Sequence, residues 1–133
     1  MNTRLLKSIN EIAPAEWNEI VGENRMICTH EFLAAVEASR INDCRYFYPV
    51  VCDGDRIVAH ACLYHITTEL DTFATGGLKK AIVAIRKVWK NFMVLRSVEC
   101  GTPIALGNTI SFREGSDRRE ALRRIVDQAE ALA

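Results

Sequence analysis

The sequence predicts an α+β fold, in which a mostly antiparallel central sheet is flanked by helices. The first observation is the stretch from Tyr46 to Ile66, where two runs rich in β-branched and aromatic residues flank an Asp53-Gly54 turn, as is typical of a β-hairpin. The second is that both runs are apolar on successive positions, so an uncovered face would leave large apolar side chains in water. We therefore expect this hairpin at the centre of the sheet, with helices packed on it.

Composition and charge bound the class of protein. With 133 residues, 49% of them hydrophobic and 26% charged, the chain has the profile of one globular domain spanning residues 1–133. Its 17 basic and 17 acidic residues balance, so the net charge predicts no attraction to nucleic acid or to anionic membranes. Basic residues predominate between 72 and 112, where Glu99 is the one acidic residue. An anionic ligand is thus expected to meet this middle section.

Cysteine usage and hydropathy favour a cytoplasmic protein. The five cysteines include no Cys-x-x-Cys pair and no paired histidine spacing accompanies them, so we expect reduced thiols and no metal site. No apolar leader follows Met1, and no apolar run approaches the roughly 20 residues that a membrane-spanning helix needs.

The segment before the hairpin predicts one strand and two helices. Residues 4–12 favour a short edge strand that leads into a turn. Pro14 suits the first position of a short helix, because its missing N–H is no loss there, and Gly22 ends that helix. Thr29 is a good N-cap for a second helix that runs to about Ser39, with an apolar stripe at Phe32, Leu33 and Val36.

The segment after the hairpin predicts a loop at 67–77, which contains the pair Gly76-Gly77, and then a basic helix at 78–90. Apolar residues recur at helical spacing among its lysines and arginines, at Leu78, Ala81, Ile82, Ile85 and Trp89. We expect this stripe to face the core and the basic side to be solvated. The alternative is a helix that lies on an anionic membrane or an acidic partner. A strand at 92–98 and a candidate short strand at 104–106 follow.

The last helix has the clearest start signal. Asp117 is a suitable cap, and Glu120 three residues later completes a capping box. The helix runs to the end of the chain, and its apolar face is formed by Leu122, Ile125, Val126, Ala129 and Leu132.

The entry to this helix is also a candidate anion site. Free N–H groups and the helix dipole favour an anion at such a junction when basic side chains assist, and the nearby candidates are Arg113, Ser116, Arg118 and Arg119. The alternative is that Asp117 simply caps the helix and the arginines are solvated, because a nearby carboxylate repels a phosphate.

The histidines and cysteines predict no catalytic group. His60 and His65 lie five residues apart on one strand, so they point to opposite faces and share no metal. Both, and His30 in the first turn of a helix, are interpreted as structural. Cys62 or Cys100 as a nucleophile requires a nearby base and an electropositive setting, and neither is visible in the sequence.

Taken together, the order of elements resembles the first half of the GNAT superfamily of acyl-CoA-dependent N-acyltransferases. The segments 24–37 and 98–103 and the Asp-Gly hairpin look like its Fem-type and cellulose-biosynthesis-associated branch. The resemblance covers residues 17–133. It implies that the loop before the last helix binds the pyrophosphate of acyl-CoA, and Arg113 and Gly115 match that loop, with the glycine one place early. It also implies later strands without a counterpart here, hence the N-terminal half of a domain.

Two functional hypotheses follow from the resemblance. The first is a portion of an N-acyltransferase that moves an acyl group from acyl-CoA to a small-molecule amine. The second is a non-catalytic module that pairs an open sheet edge with a second copy, as a homodimer, or with a complementary C-terminal half.

Overall fold

The structure, a computed structural model, describes residues 1–70 and 74–133, apart from the side chain of Asn42. It has the predicted α+β fold, with one antiparallel sheet. The helices are α1 (Pro14–Asn18), α2 (His30–Ser39), α3 (Gly76–Arg86) and α4 (Arg118–Leu132). The strands are β1 (Asn2–Leu6), β2 (Arg45–Asp53), β3 (Arg56–His60), β4 (Leu63–Glu69), β5 (Val94–Cys100) and β6 (Ser111–Phe112).

The predicted hairpin lies at the centre of this sheet. β1 pairs with β2, and β3 and β4 also pair with β2, all antiparallel. The registers of β3 and β4 continue one another, and between them the Ala61 N–H donates to the Pro49 carbonyl at 3.1 Å. β3 and β4 are therefore two parts of one hairpin arm, interrupted at Ala61 and Cys62.

Pro49 accounts for the position of this interruption. In an antiparallel ladder, residues of a hydrogen-bonded pair exchange two bonds, but proline has no N–H and can only accept. Pro49 is fully buried in β2, so the carbonyl of Ala61 loses its ladder donor there. Beyond the interruption the two parts take different neighbours: β4 pairs with β5, and β3 pairs with β6.

Helices cover both faces of the central strands, as the apolar pattern requires. On one face, α1 and α2 pack with alternate β2 residues, and Trp17, Leu33 and Tyr48 lie in this core. On the other face, Ala121 and Ile125 of α4 pack against Val51 and neighbouring residues of β3. The helix starts follow the predicted signals, because Pro14 is the first residue of α1 and the Thr29 side chain caps α2.

The predicted loop at 67–77 is wrong at both ends. β4 continues to Glu69, and Gly76 and Gly77 form the first turn of α3. Residues 71–73 of the predicted loop lie outside the described residues. The strand predicted at 92–98 begins and ends two residues later, and the predicted strand at 104–106 is only a single bridge between Thr102 and Ala105.

The predicted core-facing stripe of the basic helix is also wrong. α3 ends at Arg86, and Ile82 is its one buried residue. Leu78 and Ile85 are exposed in the helix, and Trp89, beyond its end, is 61% exposed. The helical period was read correctly, but no described element packs on the remainder of the stripe.

The apolar face predicted for α4 is correct only in part. Ile125 is buried, but Leu122 and Val126 are exposed, and Ala121 lies in the core instead. The small Ala121 and the alanines of the facing arm, Ala59 and Ala61, share this core, so the backbones can approach closely there.

Truncation of the central strands should be costly. Val50 and Leu63 are buried, so we expect Val50→Ala and Leu63→Ala each to lower the free energy of unfolding by about 2 to 4 kcal/mol. Lys79→Ala, on exposed α3, should change it by less than about 0.5 kcal/mol. Urea denaturation of the three variants measures these differences, and equal small losses would contradict the core assignment.

Candidate functional site

The turn between β6 and α4 carries most of the predicted site residues. The Arg113 N–H donates to the Val58 carbonyl at 2.8 Å, and Arg113 Nε donates to the Ile57 carbonyl at 2.6 Å. These carbonyls belong to β3 where its register with β2 shifts between Val51 and Cys52, as in a β-bulge. The irregular strand thus anchors the start of the turn.

The guanidinium group of Arg113 is already engaged by a carboxylate. Its Nη1 and Nη2 atoms each lie 2.9 Å from an oxygen of Glu19, which follows α1. This hydrogen bonding lowers the pKa of the Glu19 carboxyl and raises the pKa of Arg113. Arg113 therefore joins the turn to the α1 region, and it is not a free cation for a phosphate.

Gly115 and Ser116 complete the turn. Gly115 has a φ of +75°, which a side chain rarely tolerates, and no atom lies within 4 Å of the place where its Cβ would stand. The Ser116 N–H and hydroxyl both donate to the Arg113 carbonyl, at 3.3 and 2.7 Å. The turn is closed on its inner side and open to approach beside Gly115.

The first turn of α4 is capped by the chain itself. Asp117 Oδ1 accepts from the N–H groups of Arg119 and Glu120 at 3.1 Å each. The Glu120 side chain pairs with Arg124 at 2.8 Å. The structure therefore shows the second of the two arrangements considered for this junction, a helix capped by Asp117. An anion that binds here has to lie beside the aspartate.

Only some of the predicted residues meet in one cavity. Arg113, Gly115 and Ser116 line a cavity of about 230 Å³, whose other lining residues are Asp53, Arg56, Val58 and Glu114. Arg118 lies outside it, with its guanidinium carbon 5.9 Å from the centre of the Phe112 ring, and the Arg119 side chain is exposed. The sequence analysis missed Arg56, although its place directly after the hairpin turn was a usable signal.

Electrostatics in this cavity are mixed. The Arg56 side chain has no hydrogen bond or ion pair within 1–70 and 74–133, although its charge also acts on the nearby Glu19 carboxylate, so it can still contact an anion. Asp53 and Glu114 oppose an anion in the same space. The arrangement suits a ligand that is held mainly by Arg56, Ser116 and backbone groups.

The buried His60, the last residue of β3, makes a hydrogen bond through one of its two ring nitrogens. His60 Nε2 lies 3.0 Å from the Trp17 carbonyl, so this nitrogen carries the proton, and the two rings are stacked with centroids 3.6 Å apart. Its Nδ1 atom is buried and has no hydrogen-bond partner among the described residues. Burial lowers the pKa of His60 to about 4. His30 is satisfied by the carbonyls of Ile9 and Ile12.

The described cysteines and acidic residues form neither an activated thiol nor a metal site. Burial raises the pKa of Cys28, Cys62 and Cys100, which keeps these thiols protonated at neutral pH. Cys28, Cys52 and Cys62 are buried, Cys44 is half-buried, and Cys100 is exposed as a residue although its thiol is shielded from water beside Thr109. All five cysteines are free. In the part of the chain that the structure describes, no group of three His, Cys, Asp or Glu residues could hold a metal, and no helix could span a membrane.

Comparison with known proteins gives one weak likeness. No family model matches the chain, and no solved structure matches it significantly. Two curated relatives, both named "Putative 8-amino-7-oxononanoate synthase 2", come from Mycobacterium tuberculosis strains CDC 1551 / Oshkosh and ATCC 25618 / H37Rv. Each is 28% identical over 106 residues, which cover 78% of this chain but only 14% of the relative. The chain thus matches a small part of these relatives.

Acidification should destabilise the protein through His60. Its pKa is about 4 when folded and about 6.5 when unfolded, so between these values only the unfolded chain binds the proton. The free energy of unfolding should fall by about 3 kcal/mol from this group as pH drops from 6.5 to 4. Denaturation of wild type and His60→Gln across this range should give curves that converge at low pH. His65→Gln, at a half-exposed site, is the control, and parallel curves for His60→Gln would contradict the assignment.

Proposed function

We propose that the chain is a portion of an acyl-CoA-dependent N-acyltransferase-like domain, which transfers an acyl group to an amine. The observation that carries this proposal is the junction where β6 enters a glycine turn at the N-terminus of the longest described helix, α4. Such a junction places backbone N–H groups and a helix dipole where the pyrophosphate of acyl-CoA would bind. The resemblance of the sequence to the GNAT superfamily supports the same proposal.

The proposed chemistry is a direct transfer. The amine nitrogen attacks the thioester carbon, a new C–N bond forms as the C–S bond breaks, the thiol of CoA leaves, and a base removes the amine proton. Backbone donors would polarise the carbonyl oxygen.

Some groups of the turn favour a bound diphosphate and others oppose it. The variants that test the site are chosen from these groups. Arg56 and Ser116 provide a cation and a polar side chain, and Gly115 leaves space for phosphate oxygens. The carboxylate of Asp117 accepts hydrogen bonds from two N–H groups at the N-terminus of α4. Its negative charge therefore lies where it opposes a bound phosphate most directly. Arg113 is a poor probe, since its replacement also removes the pair with Glu19 and the bond to Ile57.

Calorimetry with acetyl-CoA tests this site. We expect binding to weaken by about 1 to 3 kcal/mol in Arg56→Gln, the value of a charge-assisted hydrogen bond. Asp117→Ser should tighten it, because serine still caps the helix while the opposing charge is removed. Arg123→Gln, the same charge change on the exposed side of α4, is the control. No detectable heat or thermal shift at millimolar acetyl-CoA would eliminate a self-sufficient acyl-CoA site.

A second candidate function is an interaction module, and the distribution of exposed apolar residues favours it. Between residues 78 and 95 the large exposed apolar side chains are Leu78, Val83, Ile85, Val88, Trp89, Met93 and Leu95. We name these residues the α3–β5 surface. Large exposed apolar side chains concentrated in one segment are typical of interaction sites, and the outer edge of β5 has no paired strand within the described residues. The proposed occupant is a second copy of the chain, related by a two-fold axis.

Light scattering across a tenfold dilution tests self-association. The chain should show a mass above the 15.0 kDa monomer at the higher concentration, because two copies would bury this surface. Val88→Glu, at a 93% exposed site, should return it to the monomer. Leu106→Glu is the matched control, because Leu106 is equally apolar and exposed but lies outside the α3–β5 surface. A monodisperse 15.0 kDa species at every concentration would overturn this alternative.

A further inference from the structure

A second cleft lies away from the turn between β6 and α4. It has a volume of about 500 Å³ and is lined by Asp43, Arg45, His65, Thr67 and Arg96. None of these residues belongs to the predicted site. Arg45 begins β2 and Asp53, in the lining of the turn cavity, ends it, so the two cavities are about 27 Å apart along the strand.

Sheet register brings the cleft residues to one face. Arg45 lies directly opposite His65, and Thr67 lies directly opposite Arg96. Opposed residues share a face, and His65 and Thr67 are two positions apart on one strand, so all four side chains leave the same face of β2, β4 and β5. From strand spacing, the Cα atoms of Arg45 and Arg96 are about 12 Å apart, within reach of two long side chains that converge.

The side chains of Arg45 and Arg96 differ from several arginines of the chain that are paired with carboxylates. Arg4, Arg113 and Arg124 each pair with a glutamate. By contrast, neither the Arg45 nor the Arg96 side chain has a hydrogen-bond or ion-pair partner among the residues that the structure describes. Two guanidinium groups that face one concave space repel each other, and an anion between them relieves that repulsion. Their planar forks match the two oxygens of a carboxylate.

Asp43 makes the cleft selective. It belongs to the short helical turn Ile41–Asp43 before β2, and it lines the cleft together with the two arginines. A carboxylate there opposes a second negative charge on a ligand and attracts an ammonium group. The lining therefore offers separate positions for the two ends of a zwitterion, with Thr67 and His65 as hydrogen-bonding groups between them.

We propose that this cleft binds a small amine that also carries a carboxylate, with the carboxylate on Arg45 and Arg96 and the ammonium group on Asp43. The interpretation of this ligand as the acyl acceptor rests on the proposed acyl transfer. The binding of a zwitterion in this cleft does not depend on the proposed acyl transfer. An acyl-CoA bound at the turn before α4 and an amine bound in this cleft would lie near opposite ends of β2.

Three five-carbon probes of matched length separate the charges: 5-aminopentanoate, glutarate and 1,5-diaminopentane. Titrations are followed by amide NMR shifts of β2, β4 and β5. We expect 5-aminopentanoate to bind at millimolar concentration, glutarate to bind at least threefold more weakly, and 1,5-diaminopentane not to bind. Inorganic phosphate, added separately, should bind no better than glutarate.

Variants of the lining connect the binding to named residues. Arg45→Gln and Arg96→Gln should each weaken 5-aminopentanoate binding at least tenfold, whereas Arg123→Gln on α4 should leave it unchanged. Asp43→Asn should remove the preference for 5-aminopentanoate over glutarate. Amide spectra unchanged outside the cleft show that each variant is folded.

Tighter binding of glutarate or phosphate than of 5-aminopentanoate, no shifts in these strands, or equal affinity in the arginine variants would overturn the proposal. Acetyl-CoA calorimetry is independent of these titrations, so the two proposals fail separately.

Discussion

The missing N–H of Pro49 is the constraint on which the architecture of the sheet depends. It removes one ladder bond in the middle of the central strand, at the point where the opposing arm divides into β3 and β4. Once divided, the arm pairs with two separate segments, β5 and β6, rather than with one long strand. The turn before α4 follows one of these segments, and the cleft of Arg45 and Arg96 borders the other. Both candidate sites thus depend on the same interruption.

Trp17 is the contact that ties the helical layer to this sheet. Its ring is buried against His60 and lies edge-on to Tyr48, with ring centroids 5.8 Å apart. Its Nε1–H donates to the Cys28 carbonyl at 2.8 Å, which also fixes the segment before α2. Because Glu19 lies two residues after Trp17, the same contact positions the carboxylate that neutralises Arg113. Packing in the core therefore determines how much positive charge the turn presents to a ligand.

Local signals in the sequence were sufficient for the helix starts and the hairpin. Thr29, Asp117 and Pro14 act within one turn of their own positions, and the Asp53-Gly54 turn joins neighbouring strands, so each can be read without the fold. The exposed stripe of α3 could not be predicted in this way. A helical period shows which residues share a face, but it does not show whether another element covers that face.

The candidate sites depended on contacts between distant residues. Glu19 and Arg113 are far apart in the sequence, and nothing local in either segment identifies the other as its partner. The cleft required the strand register, because only pairing places Arg45 beside His65 and Arg96 beside Thr67.

The different exposure of the two tryptophans has a consequence for fluorescence spectroscopy. Trp17 is fully buried while Trp89 already faces water, so a red shift of intrinsic emission on unfolding arises from Trp17 and reports the separation of α1 from the sheet.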